Sequence, residues 1–416
     1  MIESVRVDRA PPRVARTHTS VRIGAVDGLR AVAVAGVIAF HFGMGVPGGF
    51  LGVDLFFVIS GYVITRLLLI EWRRTAAIDW KRFWARRARR LLPTVMALLV
   101  VVQLWLRLGA LPELRATTDA QTVAALAYVS NWYAIFTNLG YWGALADATP
   151  LTHLWSLAVE EQFYLVWPPL LILIMTLTRS RRVLAMTAGA GAVVSYTAAA
   201  VLQGTDGVDR AYLGTDTRSG ALLLGVLCAL ALTRDAPGPN GSWDRTLTGR
   251  RRALARSVFA LALASLVALW TVGRIEAGWL YDGGLVLAGV SAALVIAYLV
   301  VAPGAVATRI LAAGPVVWIG RLSYSLYLWH WPVHVYATHT AHPGGPAVIA
   351  AQLAVTLALG VLSFALIERP TRRIGRPMVL APPLLACAVL VLGSAVLVRP
   401  AAPVEQQSDV TVHGRP

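Results

Sequence analysis

In this chain of 416 residues, the side chains best suited to chemistry sit inside long apolar runs. Arg30 and His41 stand eleven residues apart in the first of these. At about 100° per residue that spacing closes three turns with roughly 20° left over, so the two share one helix face, roughly 16 Å apart along the axis. An ionisable residue at the centre of a bilayer costs at least ~2.5 kcal/mol on insertion scales, so two on one face ask for a cavity or for partners. A histidine in such a cavity can take and return a proton near neutral pH. The plainer readings are a snorkelling arginine and a histidine that packs helices.

Three further constellations belong with this pair. Gly52-Val53-Asp54 puts a carboxylate at the start of the second run, at about the depth His41 reaches. Bonded to His41 it would fix the tautomer and leave the other ring nitrogen for a hydroxyl proton, as in serine-type triads; otherwise it caps its own helix. In the fourth run His153, Ser156, Glu160 and Tyr164 follow one helical stripe, with Glu161 about 80° off it. Two adjacent glutamates entering an apolar run suit proton handling, although an N-terminal helix dipole would also hold them. Ser323, Tyr327 and His330 share a face of the ninth run, where Trp329 and Trp331 read as an aromatic belt. At the start of the third run, Arg82, Arg86, Arg87, Arg89 and Arg90 can grip phosphate bidentately, although orientation and anionic lipid account for some of them.

The elements that position these residues follow from composition. The chain is 57% hydrophobic and 14% charged, against roughly 45–50% and 25% for ordinary soluble domains. Apolar runs of bilayer-crossing length recur near 24–43, 49–70, 91–109, 153–177, 183–202, 219–233, 257–273, 283–301, 316–337, 346–367 and 379–398. Residues 120–137 are apolar but short and end in Ser130, Asn131, Trp132 and Asn138, so they read as re-entrant. With the N-terminus inside, the inner segments hold 27 Arg and Lys and the outer ones 7. Letting 120–137 cross would put Arg179, Arg181 and Arg182 outside, against the positive-inside bias. The net charge of +16 therefore reports orientation and not nucleic-acid binding. The first run follows a polar leader and carries Asp27, Arg30 and His41, so it reads as a retained helix and not a cleaved signal. Cys228 and Cys387 lie in apolar runs, which excludes a disulfide framework and a clustered metal site.

Taken together and in order, these motifs resemble the acyltransferase 3 family of bacterial membrane O-acyltransferases over roughly residues 24–370. The resemblance rests on Asp27-Gly28-Leu29-Arg30 with His41; Gly52-Val53-Asp54 running into Phe56-Phe57-Val58-Ile59-Ser60-Gly61-Tyr62; the doubled RxxR of Arg86, Arg87, Arg89 and Arg90; Trp155-Ser156-Leu157 with Glu160-Glu161-Gln162-Phe163-Tyr164; and Ser323 to His330. It implies ten core helices, an acetyl-CoA-type donor bound from the cytoplasm, and O-acylation of sugars, cell-envelope components or secondary metabolites. It also implies functional positions at Arg30, His41 and the four RxxR arginines. Some relatives carry an eleventh helix and an outer SGNH hydrolase-like domain; here the span at 379–398 is followed by eighteen polar residues.

The expectation is an all-α polytopic integral membrane protein with ten core helices, an eleventh helix and a re-entrant segment. Its parts are a leader at 1–23, the acyltransferase region at 24–370, a linker and added helix at 371–398, and an outer tail at 399–416. Residues 71–90 and 234–256 are expected as arginine-rich inner loops. Arg30, Arg86, Arg87, Arg89 and Arg90 are expected to bind the donor. His41 is expected to be the base or, less readily, a transient acyl carrier, with Asp54, Glu160 and Glu161 as further catalytic residues and Asp54 or Glu160 orienting its ring. His153, Tyr164, Arg218, Tyr327 and His330 are expected to line the cavity or receive the acceptor. No metal and no resident cofactor are expected; the partners are membrane lipid, acyl-CoA, a hydroxyl-bearing acceptor and, optionally, a separate SGNH-type protein. The expected location is the bacterial cytoplasmic membrane, N-terminus inside and C-terminus outside. A transporter or flippase is the rival reading of the same buried charges.

Overall fold

The computed structural model describes residues 23–108, 112–138, 148–233, 249–340 and 345–373, and all regular structure in them is helical. Where hydrocarbon surrounds the chain, backbone groups have no water to bond, so apolar runs of this length resolve as helices that satisfy their own N–H and C=O groups. Among the described residues nine helices are long and apolar enough to cross a membrane. Those used below are α1 (Gly24–His41), α2 (Gly52–Thr75), α3 (Trp80–Arg107), α4 (Arg115–Leu126), α5 (Ser130–Phe136), α6 (Trp155–Thr178), α7 (Arg181–Leu213), α8 (Thr215–Leu232), α9 (Gly249–Val272), α10 (Leu285–Val301), α11 (Val306–Leu311), α12 (Gly314–Thr340) and α13 (Pro346–Ser363). At 27 residues α12 is long enough to span, but Arg321, the histidines and the serines leave it outside those nine. Its polar side is turned inward, with Ser323, Ser325 and His330 fully buried.

Two sequence expectations need correction. Residues 71–90 do not form a loop: α2 runs to Thr75, and α3 begins at Trp80 with Asp79 as its N-cap, accepting from the Arg82 amide at 2.9 Å. Helix-forming Ala85 and Ala88 lie between the arginines and Leu91 follows them, so the cationic stretch forms the first three turns of α3 and its arginines acquire fixed directions. The run at 183–202 likewise extends as α7 to Leu213 across a break at Gly207, whose φ of +88° suits glycine.

The stretch expected to be re-entrant is two short helices, α4 and α5, joined by a turn in which Tyr128 has φ +55°. Neither spans a ~30 Å hydrocarbon layer at 1.5 Å per residue. A closed amide network ties α5 to α6 and α8. Gln162 donates to the Tyr128 carbonyl at 2.7 Å and to Asn131 Oδ1 at 2.9 Å. Asn131 donates to Thr215 Oγ1 at 2.9 Å and to the Leu213 carbonyl at 3.1 Å. The leader, the eleventh span at 379–398, the tail at 399–416 and most of the 234–256 stretch lie outside the described residues.

The core includes two close helix pairs, α1 with α12 and α2 with α8, and α8 also packs closely on α7. A Cβ at Gly320 would collide with the Asp27 carbonyl, and one at Gly61 with the Leu222 carbonyl. Small residues at these crossings let backbones approach, the usual basis of helix association in lipid. Contacts between α1 and α12 climb in step, from Asp27 beside Gly320, through Arg30 on Ser323, to His41 on His330 and Phe42 on His334. The two helices therefore run in the same direction, which carries the ladder of polar residues on α12 alongside Arg30 and His41.

Candidate active site

Helix α1 presents Arg30 and His41 about 16 Å apart on one face, and the groups facing them come from α2, α3, α6 and α12. At the lower end Arg30 Nε donates to Ser323 Oγ at 3.2 Å, its guanidinium 5.6 Å from the centre of the Phe56 ring. Ser60 on α2 donates to Glu160 Oε1 at 2.7 Å. Between these groups and Ser156 and Tyr327 lies a cavity whose wall includes Arg30, Phe56, Ser60, Ser156, Glu160 and Tyr327. It combines apolar walls with few convergent polar groups, the usual make-up of a small-molecule site.

Beyond the cavity, on the side away from His41, the RxxR arginines divide by direction. Arg87 is turned inward: Nη2 meets Glu161 Oε1 at 3.3 Å, and the guanidinium lies over the Tyr164 ring at 3.3 Å. Arg90, three residues on, shares that face and lies within electrostatic range of Arg30, Arg87, Arg372 and Glu368. The buried Nε atoms of both Arg87 and Arg90 lack a hydrogen-bond partner among the described residues. Arg86, in contrast, is half exposed and reaches Glu71 at 3.7 Å. Arg89 is partly buried. Glu368 was not singled out from the sequence. It is fully buried on a π-helical turn, Phe364–Glu368, accepts from Ser325 at 3.0 Å and pairs with Arg372. The signal that could have found it is a carboxylate closing the apolar run at 346–367, in Ile367-Glu368-Arg369-Pro370.

At the other end His41 bonds His330 across the α1–α12 contact, Nδ1 to Nε2 at 2.9 Å. His330 is fully buried, and its Nδ1 lies 2.5 Å from the Tyr327 carbonyl. Tyr327 donates to the His153 carbonyl at 2.9 Å and lies 2.5 Å from Ser156 Oγ. His153 Nε2 reaches the Leu328 carbonyl at 3.1 Å. Trp331 meets the His41 ring edge-on at 4.7 Å. His41, His153, Tyr327 and His330 thus form one cluster above the cavity, while Tyr164 belongs to the arginine end.

The carboxylates expected to orient His41 are engaged elsewhere. Asp54 accepts from Arg218 Nη2 at 2.7 Å in a fully buried pair. Arg218, placed by the sequence with the cavity residues, is stacked 4.6 Å over Tyr212 in the α2–α8 contact. Glu160 is engaged by Ser60, and Glu161 by Arg87. The ring that bonds His41 comes from α12.

Bundle, buried basic end, central cavity and histidine cluster together define a polytopic membrane protein with a site reaching along its interior. The chain belongs to the acyltransferase family, matching the family model described as an acyltransferase domain over residues 23–367. It is 35% identical over 358 residues to the peptidoglycan O-acetyltransferase OatA of Listeria monocytogenes, covering 85% of this chain and 56% of that protein. It is 36% identical over 367 residues to the O-acetyltransferase OatA of Staphylococcus aureus, covering 87% and 59%. It is 38% identical over 357 residues to YrhL of Bacillus subtilis, covering 85% and 55%. The chain thus spans somewhat over half the length of these relatives. No solved structure matches it significantly.

Proposed function

We propose that this chain moves an acyl group, acetyl in the first instance, from cytoplasmic acyl-CoA to a hydroxyl of a cell-envelope carbohydrate. The observation that carries the reading is the position of the cavity: it lies along α1 between an inward-facing arginine end and the His41 cluster. Arginine guanidinia suit phosphate, and the unsatisfied Nε donors of Arg87 and Arg90 leave hydrogen-bonding capacity for the donor's phosphates. A flexible pantetheine arm, comparable in length to the Arg30–His41 spacing, would carry the thioester up the cavity past Arg30, and His41 would act on the acceptor as general base. The basic-residue asymmetry supports donor entry from the cytoplasm. Two relatives named as O-acetyltransferases, one of peptidoglycan, favour a cell-wall sugar as acceptor.

The test is reconstitution of the purified chain in lipid nanodiscs with radiolabelled acetyl-CoA and peptidoglycan fragments, reading free thiol and acetylated product. Thiol release that needs both protein and acceptor is the expected result; acetyl-CoA left intact with every hydroxyl acceptor offered contradicts the reading. Product formed without added protein would remove an obligate SGNH-type partner, and product formed only when such a protein is supplied would make it the receiver.

A further inference from the structure

The cavity changes character along its length. At the level of Arg30 its wall is polar, made by Ser60 with Glu160 and by Arg30 with Ser323. Three helices lead from that level toward the histidine cluster. On α12 the path runs from Ser323 to His330, and on α6 from Glu160 back toward His153. On α2 it runs from Ser60 back to Gly52, which packs on Ala33 and Val37 of α1, beyond Arg30. Over this stretch α2 and α6 supply apolar wall: Val53, Phe56 and Phe57 from the face that also carries Ser60, and Leu157 from the turn above Glu160. The hydroxyls of Ser156 and Tyr327 at this level lie 2.5 Å from each other, and Tyr327 also donates to the His153 carbonyl.

The apolar wall is backed by packed rings. Phe57 meets Trp155 edge-on at 6.2 Å, and Trp155 lies 4.8 Å from Tyr212. Val53, Phe57 and Leu157 are all buried. We propose that Val53, Phe57 and Leu157 form the acyl pocket of the transfer and set its chain length, admitting a two-carbon acyl group and rejecting four-carbon and longer ones. This deepens the reading of the cavity as the donor's channel and rests on it. A thioester arriving from the arginine end meets the polar level first, where Ser60, Glu160 and Ser323 suit the amides of the pantetheine arm. Its acyl methyl then reaches the apolar level, and the polar groups below fix how far it can rise. A protein interior is packed about as densely as an organic crystal, so a longer chain finds side chains where its next methylenes would go.

The test is kcat/KM for acetyl-, butyryl- and octanoyl-CoA, joined to calorimetric affinities for the unreactive thioethers S-ethyl- and S-butyl-CoA, on the full chain in nanodiscs. One methylene in an apolar pocket changes kcat/KM by about 10–200-fold, so wild type should favour acetyl over butyryl by at least about 10-fold. Phe57→Ala leaves room behind the acyl group and should raise the butyryl-to-acetyl ratio by about 10–200-fold. Val53→Ala and Leu157→Ala should move the ratio the same way by less. A purely structural role would lower all donors together and leave the ratio unchanged. Should Phe57→Ala fail to fold, the two milder variants decide. Octanoyl-CoA used as well as acetyl-CoA by wild type, or ratios unchanged in folded variants, overturns the pocket while leaving the transfer reading in place. If wild type consumes no acyl-CoA, the transfer reading fails; a thioether preference that still moves with Phe57→Ala upholds the pocket, and no thioether binding at all overturns both.

Discussion

Asp54 and Arg218 form a fully buried ion pair, 2.7 Å between Oδ2 and Nη2, at the crossing of α2 and α8. A lone charge at such a site is far more costly than the pair, and removing one partner of a buried pair costs about 3–5 kcal/mol. Because α2 also carries Phe56 and Ser60, the pair sets the position of one cavity wall. Arg218→Met should therefore lower the thermal stability of the detergent-solubilised protein strongly, and Asp54→Asn, which keeps an acceptor oxygen, less so. Fluorescence-detected size-exclusion chromatography after heating reads both. A stable, monodisperse but inactive Arg218→Met protein would move Arg218 from scaffold to chemistry.

The division of the RxxR arginines predicts unequal effects. Arg87→Ala and Arg90→Ala should each weaken acyl-CoA binding by about 10–100-fold, the loss of one charge-assisted hydrogen bond. Arg86→Ala, half exposed beside Glu71, should change it little. Arg87→Lys should not restore affinity, since an ammonium cannot cover the Tyr164 ring and meet Glu161 in the same way. Calorimetric titration with a non-hydrolysable acyl-CoA analogue separates these cases, and equal losses at Arg86 and Arg87 would contradict the assignment.

Much of this was legible in the sequence, and the limits have physical causes. Apolar run length gives the spans because hydrocarbon forces helices, and the 3.6-residue period places Arg30 with His41 and Ser323 with Tyr327 and His330. Periodicity says nothing about which helix lies opposite. Asp54 was one candidate partner for His41, beside Glu160, because it approaches the same depth, yet depth does not fix azimuth: Asp54 pairs with Arg218 and His330 of α12 bonds His41. The arginine stretch read as a loop because charge counts report side, not conformation. Glu368 escaped notice because one acid at the end of an apolar run looks like a boundary.

The amide network around Gln162 should hold α5 in place. Gln162→Leu leaves buried Asn131, at about 1–3 kcal/mol, and half-buried Thr215 with fewer partners. Hydrogen exchange over residues 130–136 should accelerate by about 10–100-fold relative to α6. Unchanged protection would show that apolar packing alone fixes the pair.

Side of membrane is open to a labelling test. In a cysteine-free background, Ala77→Cys and Gly304→Cys should react from the cytoplasmic face and Gly45→Cys from the opposite one, because basic residues cluster beside Ala77 and Gly304 precedes α12, whose first turns lie against the start of α1. Labelling of Gly45→Cys and Ala77→Cys from the same face would overturn that topology.

The central claim is that binding and chemistry separate along α1, arginines holding the donor and His41 acting on the acceptor roughly 16 Å away. The most direct measurement is acetyl-CoA affinity and single-turnover rate on purified His41→Ala protein with wild-type thermal stability. The account predicts near-normal affinity with turnover lower by about 10²–10⁴-fold; a well-folded His41→Ala protein that turns over at the wild-type rate would contradict it.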